Sequence, residues 1–234
     1  MSQTSPLSPT DRTALTRSRD RGRTDRAELW DLLDSSLVCH VALDAGGHPV
    51  VLPTAFGVDP DGPDRDGTLY LHGSVAAGWL RAGDGTRVSV AFTSLNGLVL
   101  ARSGFHHSMN YRSAVVLGTV RVVRNEDERA RALDLVVDQS VPGRAATLRR
   151  PTRKELAATV VWAVPLHEAS VKARTGGVND DDEDVATGAW AGHVPLRLVA
   201  DEVVTDAATA QPVPDDVRRR VAGLGAASGA ASDQ

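Results

Sequence analysis

The chain of 234 residues contains a single cysteine, Cys39. One thiol excludes an internal disulfide and any metal cluster built on cysteines. Cys39 sits in the apolar run LVCHVAL, where a small buried hydrophobe is expected rather than a reactive thiol. An excess of positive charge is missing too: 26 Lys and Arg stand against 30 Asp and Glu, a net charge of −4. That balance argues against a nucleic-acid-binding surface over the whole molecule. No apolar run approaches the ~20 residues needed to span a membrane. The opening MSQTSPLSPTDR also lacks the hydrophobic core of a signal peptide. A cytoplasmic protein with no membrane or nucleic-acid partner is the expectation. Solenoid repeats, a P-loop lysine motif, a G-x-S-x-G elbow and a dinucleotide fingerprint are all absent, which leaves the familiar hydrolase and Rossmann readings unsupported.

What is present is mostly strand-like. Residues 1–23 and 205–234 are poor in large apolar groups and are expected to be disordered tails around one domain at 24–204. Within that domain, LVCHVAL, VVLPTAFGV, TLYLHG, RVSVAFT, LVLAR, YRSAVVLGTVRVV and TVVWAVPL read as strands. Asn96-Gly97 is a two-residue hairpin signal. Asp25 with Glu28 marks the start of a first helix. Asn125 caps a long one from Glu126 to about Ser140, with Leu133, Val136 and Val137 on its inner face. Many strands, few helices and hairpin connections predict a mainly β fold, a small antiparallel barrel with helices outside.

Two acidic stretches carry no chemistry of their own. DPDGPDRDGTLYLHG places Pro63 where a calcium loop needs an oxygen ligand, so it reads as an exposed hairpin loop. NDDDEDVATGAW reads as a solvated loop. His106 and His107 are neighbours that an extended chain points to opposite sides, with no third ligand nearby, so no metal site is expected. The chemistry concentrates elsewhere. TLYLHGSVAAGWL turns Leu69 and Leu71 to one face of a strand and Tyr70 and His72 to the other, then breaks at Gly73. Ser74 is the expected N-cap of a short helix whose end would attract an anion. GFHHSMNYRSAVVLG adds Arg112 and the hydroxyls of Tyr111 and Ser113, a charged fork with neutral donors suited to a phosphate monoester.

The segments LVCHVALDAGGHPVVLPTAFGVD, LYLHGS, VSVAFTSLNGLVLARSGFHHSMNYRSAVVLGTVRVV and DDDEDVATGAWAGHVPLRL resemble the flavin-nucleotide-binding branch of the pyridoxamine 5′-phosphate oxidase-like family, whose relatives include the 5-nitroimidazole reductases. The resemblance covers about residues 20–200. It implies an FMN-binding split β-barrel, a homodimer, and FMN in a groove between the subunits. Leu52, Pro53 and Thr54 would border the isoalloxazine, with His72, Gly73 and Ser74 beside the ring and ribityl chain. Tyr111, Arg112 and Ser113 would face the phosphate, and Trp190 would approach from the partner subunit. The RLHDR-like substrate segment of the true oxidases is lacking. The implied activity is FMN-dependent oxidation or reduction of a small molecule by hydride transfer, with His72 as the catalytic side chain. The alternative is a non-catalytic flavin carrier, or a barrel relative that holds haem through one of the seven histidines.

Overall fold

The computed structural model describes residues 6–226; residues 1–5 and 227–234, the outer parts of both expected tails, lie outside the described residues. Eleven strands are described: β1 Gly22–Arg23, β2 Cys39–Asp44, β3 Pro49–Thr54, β4 Phe56–Asp59, β5 Thr68–Ser74, β6 Arg87–Leu100, β7 Ser108–Thr119, β8 Arg121–Val122, β9 Thr159–Pro165, β10 Ala169–Arg174 and β11 Gly192–Pro195. The α-helices are α1 Ala27–Ser35, α2 Glu126–Ser140, α3 Arg153–Ala157, α4 Asp182–Ala186 and α5 Asp215–Ala226. The strands form two antiparallel sheets. The larger runs β1-β10-β7-β6-β2-β3 with β11 added beside β6, and the smaller runs β4-β5-β9-β8.

This is a split β-barrel with peripheral helices. Alternation builds its wall: Cys39, Val41 and Leu43 of β2 turn inward, as do Val171 and Ala173 of β10, while His40 and Asp44 face out. The inner faces of both sheets meet in one core that includes Phe56, Leu71, Phe92, Val116 and Trp162. Leu29, Leu32 and Leu33 of α1 join it. VVLPTAFGV serves both sheets, because the chain leaves β3 at Ala55 and enters β4. Pro53 is tolerated in β3 because that strand lies at a sheet edge. Cys39 is fully buried and its thiol pKa is pushed up to about 12 by desolvation, so it is unreactive.

The smaller sheet is covered on its second face as well. Tyr70, Val161 and Ala163 pack there against Ala132, Leu133 and Leu135 of α2. Asn125 caps α2 as expected, its Oδ1 accepting from the Glu128 N–H at 2.8 Å. No helix among the described residues is long and apolar enough to cross a membrane.

Four expectations are corrected. Asn96-Gly97 is not a hairpin: β6 runs through it, and the register against β7 shifts between Leu95 and Gly97. At this bulge β6 exchanges its neighbour β2 for β11, which calls for a bend rather than a reversal. Glycine suits the position, since a Cβ at Gly97 would lie 3.1 Å from Val194 O. The acidic loop after β4 is anchored, not free: Asp59 binds Arg131, Asp64 binds Arg121, and Asp66 accepts from His167 Nδ1 at 2.6 Å. NDDDEDVATGAW likewise contains α4, and its Asp180, whose side chain is almost wholly buried, pairs with Arg102 at 2.9 Å. Finally, His106 lies in a turn rather than an extended segment.

Residues assigned to the tails on composition lie against the barrel. Leu7 is buried, Ser8 N donates to Ala169 O at 2.7 Å, and β1 pairs with β10. Arg220 of α5 donates to Ser140 O at 2.8 Å. Such docking rests on a few specific contacts, which composition does not register.

Candidate functional site: the His72 cavity and the outer face of the larger sheet

His72 shares its face of β5 with Tyr70, beneath α2. There it lines a cavity of about 460 Å³ whose walls include Leu133, Val136 and Val137 of α2, with Leu148 and Leu156 beyond. The three α2 residues read as its inner face therefore form the cavity wall. His72 Nδ1 is buried with no hydrogen-bond partner among the described residues. Burial lowers the His72 pKa, which holds the imidazole neutral. At the rim, Arg149 Nη1 and Nη2 donate to the two Glu155 oxygens at 2.9 and 2.6 Å. Glu155 also completes the capping box of α3, accepting from Thr152 N at 2.7 Å.

Several elements hold this roof. Gly57 of β4 lies so close to α2 that a Cβ would meet Val136 N at 2.8 Å. Gln139 Nε2 donates to Leu33 O and Ser36 O at 2.8 and 2.9 Å, tying α2 to the end of α1. Tyr70 OH donates to Glu128 at 3.1 Å.

The remaining predicted residues form two neighbourhoods. Leu52, Pro53 and Thr54 end β3 just before the chain crosses to β4, whose Phe56 pairs with Leu71. This junction therefore lies beside the His72 end of β5. Gly73 points to the opposite side of β5 from His72, where a Cβ would meet Leu80 at 2.8 Å. Ser74 does not cap a helix. Sheet pairing continues past it, Val75 N donating to Ala158 O, and only a five-residue 3-10 helix follows at Gly78–Ala82. Ser74 Oγ accepts from Ala76 N at 3.2 Å. The helix-end anion site expected there is thus not formed.

Tyr111, Arg112 and Ser113 are consecutive on β7, so their side chains alternate. Arg112 Nη2 donates to Ser35 Oγ at 3.3 Å. Tyr111 and Ser113 share the outer face. Ser113 stands between Thr93 and Lys172, and Tyr111 between Leu95 and Arg174. Sequence reasoning missed Lys172 and Arg174. The signal was the alternation of ASVKAR, whose small and apolar residues turn inward and leave the two cations outside. Trp190 is 72% exposed and lies over Gly192, the first residue of β11. From β11 an exposed apolar row, Val194, Leu98 and Met109, crosses three strands in register. His106 contacts Asp181 at 3.2 Å on the exposed surface, with Asp184 near both.

The fold is that of the split-barrel superfamily of flavin-binding, pyridoxamine 5′-phosphate oxidase-like proteins. The family model described as pyridoxamine 5′-phosphate oxidase matches residues 25–173, and the chain belongs to that family. The FAD and haem binding protein from Mycobacterium smegmatis is 40% identical, with a TM-score of 0.78, over 86% of this chain and 97% of that one. The flavocytochrome Anf3 from Azotobacter vinelandii is 33% identical, with a TM-score of 0.82, over 92% of this chain and 98% of that one. A search of curated proteins finds no match.

Proposed function

We propose that the protein binds both a flavin nucleotide and haem, and that the His72 cavity is the haem site. The observation that carries this reading is a neutral, part-buried imidazole lining an apolar cavity, its Nδ1 enclosed without a hydrogen-bond partner among the described residues. Neutral imidazole is the form that ligates a metal. An apolar wall suits a macrocycle, and the volume falls within the usual ~300–1,000 Å³ of cofactor pockets. The two similar structures, a FAD and haem binding protein and a flavocytochrome, support the same pairing. It replaces FMN alone as the preferred cofactor set.

The flavin, FMN or FAD, would lie along the junction at Leu52, Pro53 and Thr54 and past Gly73 and Ser74. Its phosphate would face Tyr111 and Ser113 with Lys172, and Arg112 would stand behind that strand. The exposed row from Val194 to Met109 supports a second copy covering this face, which would bring the partner subunit's Trp190 to the groove. When bound, haem supplies one-electron chemistry and the flavin two-electron chemistry. His72 would bind and orient the haem, the α2 wall would exclude water, and the outer-face hydroxyls and cations would fix the flavin. An oxidoreductase acting on a small molecule is the activity this arrangement best supports.

The absorption spectrum of the purified protein tests the reading. A Soret band together with flavin bands is expected, and His72→Ala should lose the Soret band while keeping the flavin. A wild-type spectrum of flavin alone would overturn the haem assignment. In that case, loss of turnover in His72→Ala with flavin retained would assign His72 to proton delivery instead.

A further inference from the structure

Two charged groups stand at the rim of an otherwise apolar cavity, and their geometry is asymmetric. Glu155 takes the end of the Arg149 guanidinium formed by Nη1 and Nη2, and Nη1 also donates to Arg150 O at 3.2 Å. The side edge, Nε and the outer Nη2 hydrogen, takes no partner among the described residues. A guanidinium carries five donors in a fixed fork, and its side edge matches a second carboxylate in the same bidentate manner. The Arg149 side chain is 70% exposed, so a ligand in the cavity can reach that edge from outside. Glu155 is itself fixed by the capping box of α3, so it sets the direction of the fork before any ligand arrives.

We infer that Arg149 is the carboxylate handle of the His72 cavity, held in place by Glu155, and selects an occupant with a free carboxylate at the edge of an apolar ring system. The inference rests on the haem reading and deepens it: the imidazole takes the metal inside, and the guanidinium takes a propionate at the rim. It differs from a general apolar fit, because a macrocycle without carboxylates would fill the walls equally well and leave Arg149 unused. Glu155 competes for the same cation as well as orienting it. Removing its charge while keeping its hydrogen bonds to the α3 cap should therefore strengthen the hold on the ligand.

The test titrates the full chain, freed of haem, with haemin and with haemin dimethyl ester, following the Soret band. Wild type should bind haemin about tenfold more tightly than the diester, the scale of one charge-assisted fork. Arg149→Ala should lose that preference by weakening haemin alone, with diester binding unchanged as proof that the cavity is intact. Arg149→Lys, which keeps the charge but not the fork, should fall between. Glu155→Gln, which preserves a capping-box side chain, should bind haemin more tightly than wild type. Equal binding of haemin and diester by wild type, or a full preference retained in Arg149→Ala, would overturn the inference while leaving haem at His72. Failure of wild type to give a Soret band with either ligand would instead remove the haem reading and this inference with it.

Discussion

Asp59 at the end of β4 is held by Arg131 of α2, whose Nη2 donates to Oδ1 at 2.8 Å while Nε donates to Oδ2. The fork fixes the helix that roofs the cavity to the strand beneath it. The pair is unequal: the Asp59 side chain is 3% exposed, and that of Arg131 is 58% exposed. The Arg131 hydrogen bonds hold the Asp59 carboxyl below the usual carboxylate range, against burial, which pushes it up.

Removing the exposed partner should therefore cost more than neutralising the buried one. Arg131→Ala leaves a buried carboxylate without its cation, at about 3 kcal/mol. Asp59→Asn leaves only a solvated guanidinium and should cost about 1 kcal/mol. The pH dependence has a definite sign. Because the folded pKa is lowered, the stabilisation is fully present above the unfolded value of about 3.9 and is lost as pH falls through the folded value. Urea denaturation should show Arg131→Ala the weaker variant at pH 7, with the gap closing below about pH 4. A gap that persists in acid would show that the carboxylate charge is not what binds the helix.

Gly57 is the second point where α2 is fixed. A methyl group there would lie 2.8 Å from Val136 N and 2.9 Å from Leu135 C, both backbone atoms that cannot turn aside. Gly57→Ala should push α2 outward and cost about 2 kcal/mol. For a chain of this size that lowers Tm by about 4–8 °C, and haem should dissociate faster through the loosened roof. An unchanged Tm would show that α2 moves freely over β4.

The contrast between these contacts and the sequence is informative. Cys39, Val41 and Leu43 alternate over one short strand, and Asn125 caps its helix from three residues away, so both were legible. The inward set Leu133, Val136 and Val137 and the shared strand face of Tyr70 and His72 were legible for the same reason: helix and strand periods are local. Asp59 and Arg131 are 72 residues apart, and nothing in DPDGPDRDG announces the partner. The turn chemistry of Asn96-Gly97 was overruled by continuous pairing with β7. Ser74 was overruled by a sheet ladder that runs past it. Lys172 reaches the candidate flavin face only through the register of β10 on β7, which is a tertiary fact.

That register sets a test of the phosphate site. Lys172 stands opposite Ser113 on the outer face, whereas Arg112 reaches the end of α1. Lys172→Ala should weaken binding of FMN or FAD about tenfold and affect riboflavin little, as expected for loss of one charge-assisted contact to a phosphate. Arg112→Ala should act less and without regard to the phosphate. Fluorescence titration with the three ligands reads both variants. The reverse ranking would place the phosphate at the barrel end beside Arg112.

The apolar row on β11, β6 and β7 sets the last test. Val194, Leu98 and Met109 face the same side in register and all stand exposed. Contiguous apolar side chains on a sheet face mark a surface that another chain covers. A two-fold arrangement sets the same patch of one copy against the other, so one substitution is introduced twice in each interface. Leu98→Asp should therefore act strongly, placing two carboxylates in the apolar centre. Analytical ultracentrifugation should find wild type near twice 24.7 kDa and the variant near 24.7 kDa. Flavin affinity should fall with assembly, because the groove would lose the partner subunit's Trp190, while haem at His72, roofed by α2 of the same chain, should stay bound. A wild-type monomer that retains flavin would show that one chain builds the whole site, and a dimeric Leu98→Asp would move the interface to another face.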